Sequence, residues 1–286
     1  MSSEQGIRVE NVSKTFGLNP ALKDVSITFE EEKIYGLLGR NGAGKTTLLN
    51  LITNRLFADD GTITIDGLAA VENDVAQEKV YMMSEQDYYP ENFTVLQVFD
   101  SAKIFYCGFD MEYAYELCKQ FDLNPKKKIR ELSTGYSSIY KVITALCVEA
   151  PYILLDEPVL GLDANHRDLF YRCLLETYAK HPRTFLISTH LIEEVSNVIE
   201  DVVIIKEGSI LRHQTCEELL QCGYTVSGKA SEVDAFVQGK EILGQDTIGG
   251  LKTASILGNA TQARIPESLE MGKLDLQKLF IQLTNH

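Results

Sequence analysis

Gly39-Arg40-Asn41-Gly42-Ala43-Gly44-Lys45-Thr46-Thr47 is the stretch that decides the fold of this chain. It has the G-x-x-x-x-G-K-[ST] spacing of a phosphate-binding P-loop. Lys33-Ile34-Tyr35-Gly36-Leu37-Leu38 before it reads as a short buried strand, and Leu48-Leu49-Asn50-Leu51-Ile52 after it as the first turns of a helix. That strand–loop–helix setting gives the pattern a mechanism. The glycines let backbone N–H groups curl around phosphates, and the helix N-terminus adds partial positive charge. Lys45 is placed to reach the β- and γ-phosphates, and Thr46 to offer its hydroxyl to Mg²⁺. The expected cradle is Gly39, Asn41, Gly42, Ala43, Gly44, Lys45, Thr46 and Thr47.

Ile153-Leu154-Leu155-Asp156-Glu157-Pro158 is the second signal. An acid at the end of a buried strand has the character of a Walker B element. Asp156 is then expected to hold Mg²⁺, through water, because that ion keeps much of its hydration shell. Glu157, just past the strand end, is placed to position and polarise a water that attacks the γ-phosphate. Alone, the two acids read equally well as a solvated turn before Pro158. The P-loop upstream selects the nucleotide reading.

With 286 residues, the chain is long enough for one large domain, or a domain and a small appendage. Its hydrophobic fraction of 44% and charged fraction of 24% are ordinary for a globular protein. No uninterrupted apolar run approaches the roughly 18–20 residues of a spanning helix. Met1-Ser2-Ser3-Glu4-Gln5 lacks the basic start and apolar stretch of a signal peptide, so a cytoplasmic location is expected. The net charge of -14 argues against bulk electrostatic binding to nucleic acid or an anionic membrane. Lys126-Lys127-Lys128-Ile129-Arg130 is a local basic run, read as a solvated loop before a helix. Cys107, Cys118, Cys147, Cys173, Cys216 and Cys222 form no C-x-x-C pair. Cys118, Cys147 and Cys173 fall on apolar stretches of predicted helices and read as reduced core residues.

Along the chain, Ile7–Val12, Val25–Phe29 and Gly61–Gly67 alternate apolar and polar residues as half-buried strands do, and Lys79–Met83 is a further strand. The character then turns helical. Thr94-Val95-Leu96-Gln97 is a capping box opening a helix to about Tyr106. A second helix covers about Met111–Gln120, and a third begins near Gly135, with Ile139, Val142, Ile143 and Leu146 at helical spacing. From Tyr152 strands and helices alternate again: Tyr152–Asp156, a helix around Leu169–Leu174, Thr184–Ser188, then a hairpin from Val202–Ile205 to Ile210-Leu211. Residues 223–286 read as a small α/β appendage with weak strands near Tyr224–Val226 and Thr253–Leu257. A terminal helix there carries Leu276, Leu279, Phe280 and Leu283 on one face. There is no long internal repeat, so the chain holds one nucleotide-binding unit.

The ordered motifs resemble the nucleotide-binding domain of an ABC transporter over about residues 7–220. Leu132-Ser133-Thr134-Gly135-Tyr136 is similar to the family's signature, between Gln86 at the Q-loop position and the Walker B strand. Gly161-Leu162-Asp163 is similar to the D-loop, His190 to the switch histidine, and Phe16 stands where the family has an adenine-stacking aromatic. The resemblance implies an α/β P-loop ATPase core with an antiparallel β subdomain, a helical subdomain at about 87–150 and the small appendage. It divides the chain into an ATPase domain, 1–222, and an accessory domain, 223–286. It implies ATP and Mg²⁺ as cofactors, with Gln86 reaching the metal or the attacking water and His190 donating a hydrogen bond to the γ-phosphate. Ser133 and the Gly135 N–H would meet the γ-phosphate across a head-to-tail dimer that sandwiches two ATP molecules; Ser133 is equally an ordinary helix cap. Phe16 either stacks on adenine or packs in the core.

In the signature, Thr134 and Tyr136 replace the commoner Gly and Gln, while Ser133 and Gly135 remain. This variant, the Gly39-Arg40-Asn41 start and the short appendage resemble Gram-positive ABC-2-type exporter ATPases, including those for antimicrobial or amphipathic peptides. The expectation is an ATPase subunit, homodimeric or heterodimeric, driving a permease carried on a separate chain at the inner face of the membrane, with no nucleic acid partner. Tyr88, Tyr89, Pro90 and Phe93 offer that permease an apolar contact, or pack locally. The alternative is a soluble mechanical or translation-associated ATPase, although tandem cassettes, coiled coils and zinc modules are not evident. Lys45, Asp156, Glu157 and His190 argue against a non-catalytic ATP-gated regulator, and the lack of an Asn-Lys-x-Asp motif argues against a small GTPase.

Overall fold

The computed structural model describes residues 5–106, 108–258, 265–266 and 268–285. Met1–Glu4 and Cys107, which entered the sequence reading, lie outside the described residues.

Strands β1 (Ile7–Phe16) and β2 (Asn19–Phe29) form a hairpin, β3 (Ile34–Leu38) enters the P-loop, and α1 (Lys45–Ile52) leaves it. β4 (Asp60–Ile65) and β5 (Leu68–Ala69) return to the hairpin, giving an antiparallel sheet of order β2-β1-β4-β5. α2 (Asp74–Gln77) precedes β6 (Val80–Met83). The helical segment holds α3 (Val95–Phe105), α4 (Met111–Gln120) and α5 (Thr134–Cys147). β7 (Tyr152–Asp156), α6 (Ala164–Lys180), β8 (Thr184–Thr189), α7 (Ile192–Val195), β9 (Asp201–Lys206), β10 (Ser209–Thr215) and α8 (Cys216–Gln221) follow. The second sheet has the order β10-β9-β3-β8-β7-β6 and is parallel except for the β9–β10 hairpin.

Strands β3, β7 and β8 are buried along their whole length, as parallel strands covered on both faces are. Alternation divides them between two cores. Tyr35, Leu37, Tyr152, Leu154 and Leu186 face α1 and the antiparallel sheet, packing with Leu48, Leu49 and Ile52. Ile34, Leu38, Ile153, Leu155, Phe185 and Ile187 face the helical layer, among Phe99, Leu117, Ile143 and Leu146. The predicted capping box is present: the Gln97 N–H donates to Thr94 Oγ1 at 3.2 Å, and the Thr94 N–H donates to Gln97 Oε1 at 2.9 Å. Cys118, Cys147 and Cys173 are buried free thiols, and burial raises the pKa of each. Among the described residues no helix is long and apolar enough to cross a membrane.

The C-terminal segment builds its own antiparallel sheet from β11 (Gly223–Lys229), β12 (Ile242–Ile248), β13 (Leu251–Leu257) and β14 (Glu270–Lys273), in the order β12-β13-β11-β14. α9 (Ala230–Phe236) covers this sheet through Val233, which packs with Tyr224, Val226 and Ala254. The last helix, α10 (Leu276–Asn285), does something different. Its Leu276, Leu279 and Phe280 join the core of the helical layer with Val195, Val198 and Leu219, and its partly buried Leu283 packs against that cluster. Thr284, on the same helix, borders a small cleft of about 220 Å³ beside the P-loop residues Arg40–Ala43.

Leu279 is 1% exposed. Leu279→Ala is therefore expected to lower the stability of the nucleotide-binding core by about 2–5 kcal/mol, read as a shifted main urea-unfolding transition. An unmoved main transition, with loss only of a minor early one, would show α10 to be energetically separate.

Candidate functional site

The site gathers at the carboxyl ends of three neighbouring strands, where open α/β sheets place their ligand crevices. Leu38 ends β3, Asp156 ends β7 and Thr189 ends β8; in register, Leu38 stands beside Thr189 and Asp156 beside Ser188. The P-loop leaves β3 and turns into α1 through Gly42 and Gly44, at φ of 80° and 111°. A side chain on Gly44 would be strained by that φ, and its Cβ would lie 2.7 Å from the Ala21 carbonyl oxygen. The turn thus leaves α1 to begin at Lys45, where the first N–H groups of the helix lack intrahelical partners.

Asp156 is the most buried acid in the site, at 4% exposure. It accepts hydrogen bonds from Thr46 Oγ1 at 2.8 Å and Ser188 Oγ at 2.9 Å. Burial nevertheless pushes its carboxyl above the usual carboxylate range, outweighing the two hydroxyls. A buried carboxylate beside a hydroxyl is a hard oxygen donor set, and a cation there would offset the desolvation of its charge. These residues therefore fit Mg²⁺.

Glu157 adopts φ of 49°, in the left-handed region that costs a non-glycine residue about 1–3 kcal/mol. Its N–H donates to the Ser188 carbonyl at 2.9 Å. One carboxylate oxygen, Oε1, lies 3.6 Å from Lys45 Nζ. The other, Oε2, lies 2.9 Å from His190 Nδ1 and accepts from Thr189 Oγ1 at 3.3 Å. Lys45 is itself buried and donates to the Gly39 carbonyl at 2.8 Å. Lys45, Thr46, Asp156, Glu157 and His190 are thus gathered at one place from three segments of the chain. Ser188 and Thr189 were not singled out as site residues. Two hydroxyls directly after the apolar run Phe185-Leu186-Ile187 are the signal that could have found them.

Among the described residues, no hydrogen bond or ion pair joins Phe16, Gln86, Ser133 or Asp163 to that network. Phe16 is 48% exposed at the end of β1, with Lys14 Nζ 5.7 Å from its ring centroid, so the core-packing alternative does not hold. Gln86 is exposed after β6 and accepts from the Tyr88 hydroxyl at 3.3 Å. Its loop is anchored from α5: Lys141 Nζ donates to the Glu85 carbonyl at 2.6 Å, and the Tyr140 hydroxyl donates to Asp87. Ser133 caps α5, accepting from the Tyr136 N–H at 3.4 Å. Asp163 caps α6, accepting from the His166 N–H at 2.9 Å.

The signature and D-loop positions touch within the chain. A Cβ on Gly135 would stand 2.9 Å from the Gly161 carbonyl oxygen, and Ser138 Oγ donates to the Leu160 carbonyl at 2.8 Å. Tyr136 stands over the basic run, with Lys127 Nζ 6.0 Å from its ring, and tilts toward His166 at 6.4 Å between centroids.

Known proteins resemble this chain in sequence and fold. The family profile described as "ABC transporter" matches residues 22–160. The chain is 34% identical over 213 residues to the ABC transporter ATP-binding protein YtrB of Bacillus subtilis (strain 168), covering 74% of this chain and 73% of that protein. It is 30% identical over 259 residues to the Nod factor export ATP-binding protein I of Burkholderia lata, covering 84% of each. The ADP conformation of MJ1267, an ATP-binding cassette of an ABC transporter, superposes with a TM-score of 0.62 at 26% identity, over 75% of this chain and 92% of that one. The P-loop, the acid-tipped parallel strand and this kinship together place the chain in the ABC transporter family, as an ATP-binding subunit and an ATPase.

Proposed function

We propose that the chain pairs head to tail with a second ATP-binding subunit around two Mg-ATP molecules. This pair drives a separate membrane permease that exports peptides or amphipathic compounds. The observation that carries the reading is the shared hold on Glu157, whose two oxygens face Lys45 on one side and His190 on the other.

The chemistry follows from that hold. A γ-phosphate at the P-loop draws Lys45 Nζ from the Gly39 carbonyl and Glu157 Oε1 toward its own oxygens. The freed Glu157 Oε1 then faces the water that attacks the γ-phosphorus, orienting it and accepting its proton as the bond from phosphorus to the β–γ bridging oxygen breaks and ADP leaves. Thr46 and Asp156 would hold Mg²⁺, with Gln86 as a further oxygen donor; when bound, the ion neutralises phosphate charge. His190 presents Nδ1 to Glu157. A neutral ring donating from Nδ1 has only an acceptor at Nε2, so donation to the γ-phosphate comes from the imidazolium or after exchange of the Glu157 contact. Phe16 is open to stack on adenine.

Ser133 and Gly135 complete the site only from another subunit. Supporting this, Ser133 is exposed at the start of α5 and shares no bond with the Lys45–Glu157 network. Asp163, at the neighbouring turn, serves the same interface. Export is supported by the Nod factor export relative. The exposed Tyr88, beside the Gln86 loop, with Pro90 and the half-buried Phe93, gives the permease an apolar docking point and holds the chain to the inner membrane face. The division at residue 222 into ATPase and accessory domains is supported by the third sheet, which opens at Gly223. The packing of α10 ties the two together.

Glu157→Gln is expected to lower steady-state hydrolysis at least about a hundredfold while ATP is retained and a closed dimer accumulates on gel filtration. Unchanged turnover would sink the role given to Glu157. Ser133→Arg removes a helix cap worth about 1 kcal/mol, too little to unfold the domain. It should impair turnover while leaving ATP affinity of the monomer within about threefold, and loss of monomer binding would overturn the across-interface assignment. Affinity purification of the tagged chain from native membranes is expected to recover a polytopic membrane protein; recovery of none would favour the soluble mechanical ATPase.

A further inference from the structure

Arg167 lies in the first turn of α6 and joins two segments that the rest of the site leaves separate. Its Nε donates to the Leu162 carbonyl at 2.8 Å, inside the turn Gly161-Leu162-Asp163. Its Nη1 donates to Glu194 Oε1, on α7. α7 starts at Ile192, two residues beyond His190, and the Leu191 N–H between them donates to Thr189 Oγ1 at 3.0 Å. One guanidinium therefore spans from the Gly161–Asp163 turn to the segment that carries His190 and Thr189, the two residues that hold Glu157 Oε2. A planar fork with several donors suits this task, because it serves a carbonyl and a carboxylate at once in a fixed relative geometry.

Beside this ion pair, the second Glu194 oxygen and the Tyr171 hydroxyl are both buried and have no hydrogen-bond partner among the described residues. Tyr171 stands one helical turn beyond Arg167 on α6 and is 8% exposed. Burial raises its pKa first, and the nearby Glu194 carboxylate raises it further, which places the two groups in one electrostatic neighbourhood. A buried donor and a buried acceptor of this kind supply a second pairing for Glu194 when its bond to Arg167 loosens. Such an alternative pairing would give the element a second arrangement, which is what a mechanical relay requires.

We propose that Arg167 and Glu194 are positioning residues that couple the Gly161–Asp163 turn to the His190 segment, so that displacement of the turn by an opposing subunit is passed to the His190–Glu157 contact. The inference rests on the roles given above to Glu157 and His190.

A double-mutant cycle on the full chain tests it. Arg167→Ala and Glu194→Ala should each lower kcat about tenfold with KM for ATP within about twofold, and the double variant should be no slower than the slower single variant. Glu194→Gln keeps an acceptor for Arg167 and should recover part of the rate lost in Glu194→Ala. Losses that multiply to about a hundredfold in the double variant, an unchanged kcat in either single variant, or an effect confined to KM would each overturn the coupling. If the alanine variants fail to fold, the cycle is run with Arg167→Met and Glu194→Leu, which keep side-chain bulk but remove the pair, under the same criterion. Glu157→Gln is assayed alongside. Turnover retained in that variant overturns the reading of the site itself, whereas multiplied losses with Glu157→Gln inactive overturn the coupling alone.

Discussion

Burial of the Asp156 carboxylate is the constraint on which the rest of the site depends. A charge at 4% exposure is unfavourable unless its surroundings supply donors or a cation. Two hydroxyls meet it, from Thr46 on α1 and Ser188 on β8, and each is delivered by a different rule of the fold. Thr46 arrives because Gly42 and Gly44 allow the P-loop to turn α1 back over the strand ends. Ser188 arrives because parallel pairing sets it directly beside Asp156. Even so, the carboxyl stays above its ordinary range. A divalent ion is what this pocket still accommodates.

The same crowding organises Glu157. Following a fully buried strand, it escapes the sheet only by taking positive φ, and the turn it makes brings its side chain between Lys45 and His190. The backbone strain and the electrostatic hold on the carboxylate are thus parts of one arrangement.

Much of this was legible in the sequence because local rules governed it. The P-loop glycines, the apolar strand ending in Asp156 and the capping box at Thr94–Gln97 each carry their structure within a few residues, and each stands where those residues say. The longer strands and helices of residues 7–220 follow from periodicity for the same reason, whereas the short β5, α2, α7 and α8 have too few residues to show a period. What was not legible depends on partners distant in sequence. Ser188 matters only because of register, and Arg167 only because Leu162 and Glu194 come within its reach. β12 and β14 escaped notice because their side chains are mostly exposed, leaving no alternation to read. The apolar stripe of α10 was visible, but its destination was not. The sequence places it within the appendage, yet it closes the core of the helical layer.

That destination has a consequence for how the protein is made. Synthesis runs from the N-terminus at about 5–20 residues per second, and domains tend to fold as they emerge. Val195, Val198 and Leu219 leave the ribosome well before Leu276, Leu279 and Phe280, which cover them. For several seconds the nascent chain already holds its complete phosphate-binding sequence while part of the adjoining core lies open to water. Completion of the helical layer is therefore postponed until Leu276, Leu279 and Phe280 have been made. Chains interrupted before residue 276 carry an uncovered apolar surface that chaperones or proteases are equipped to recognise.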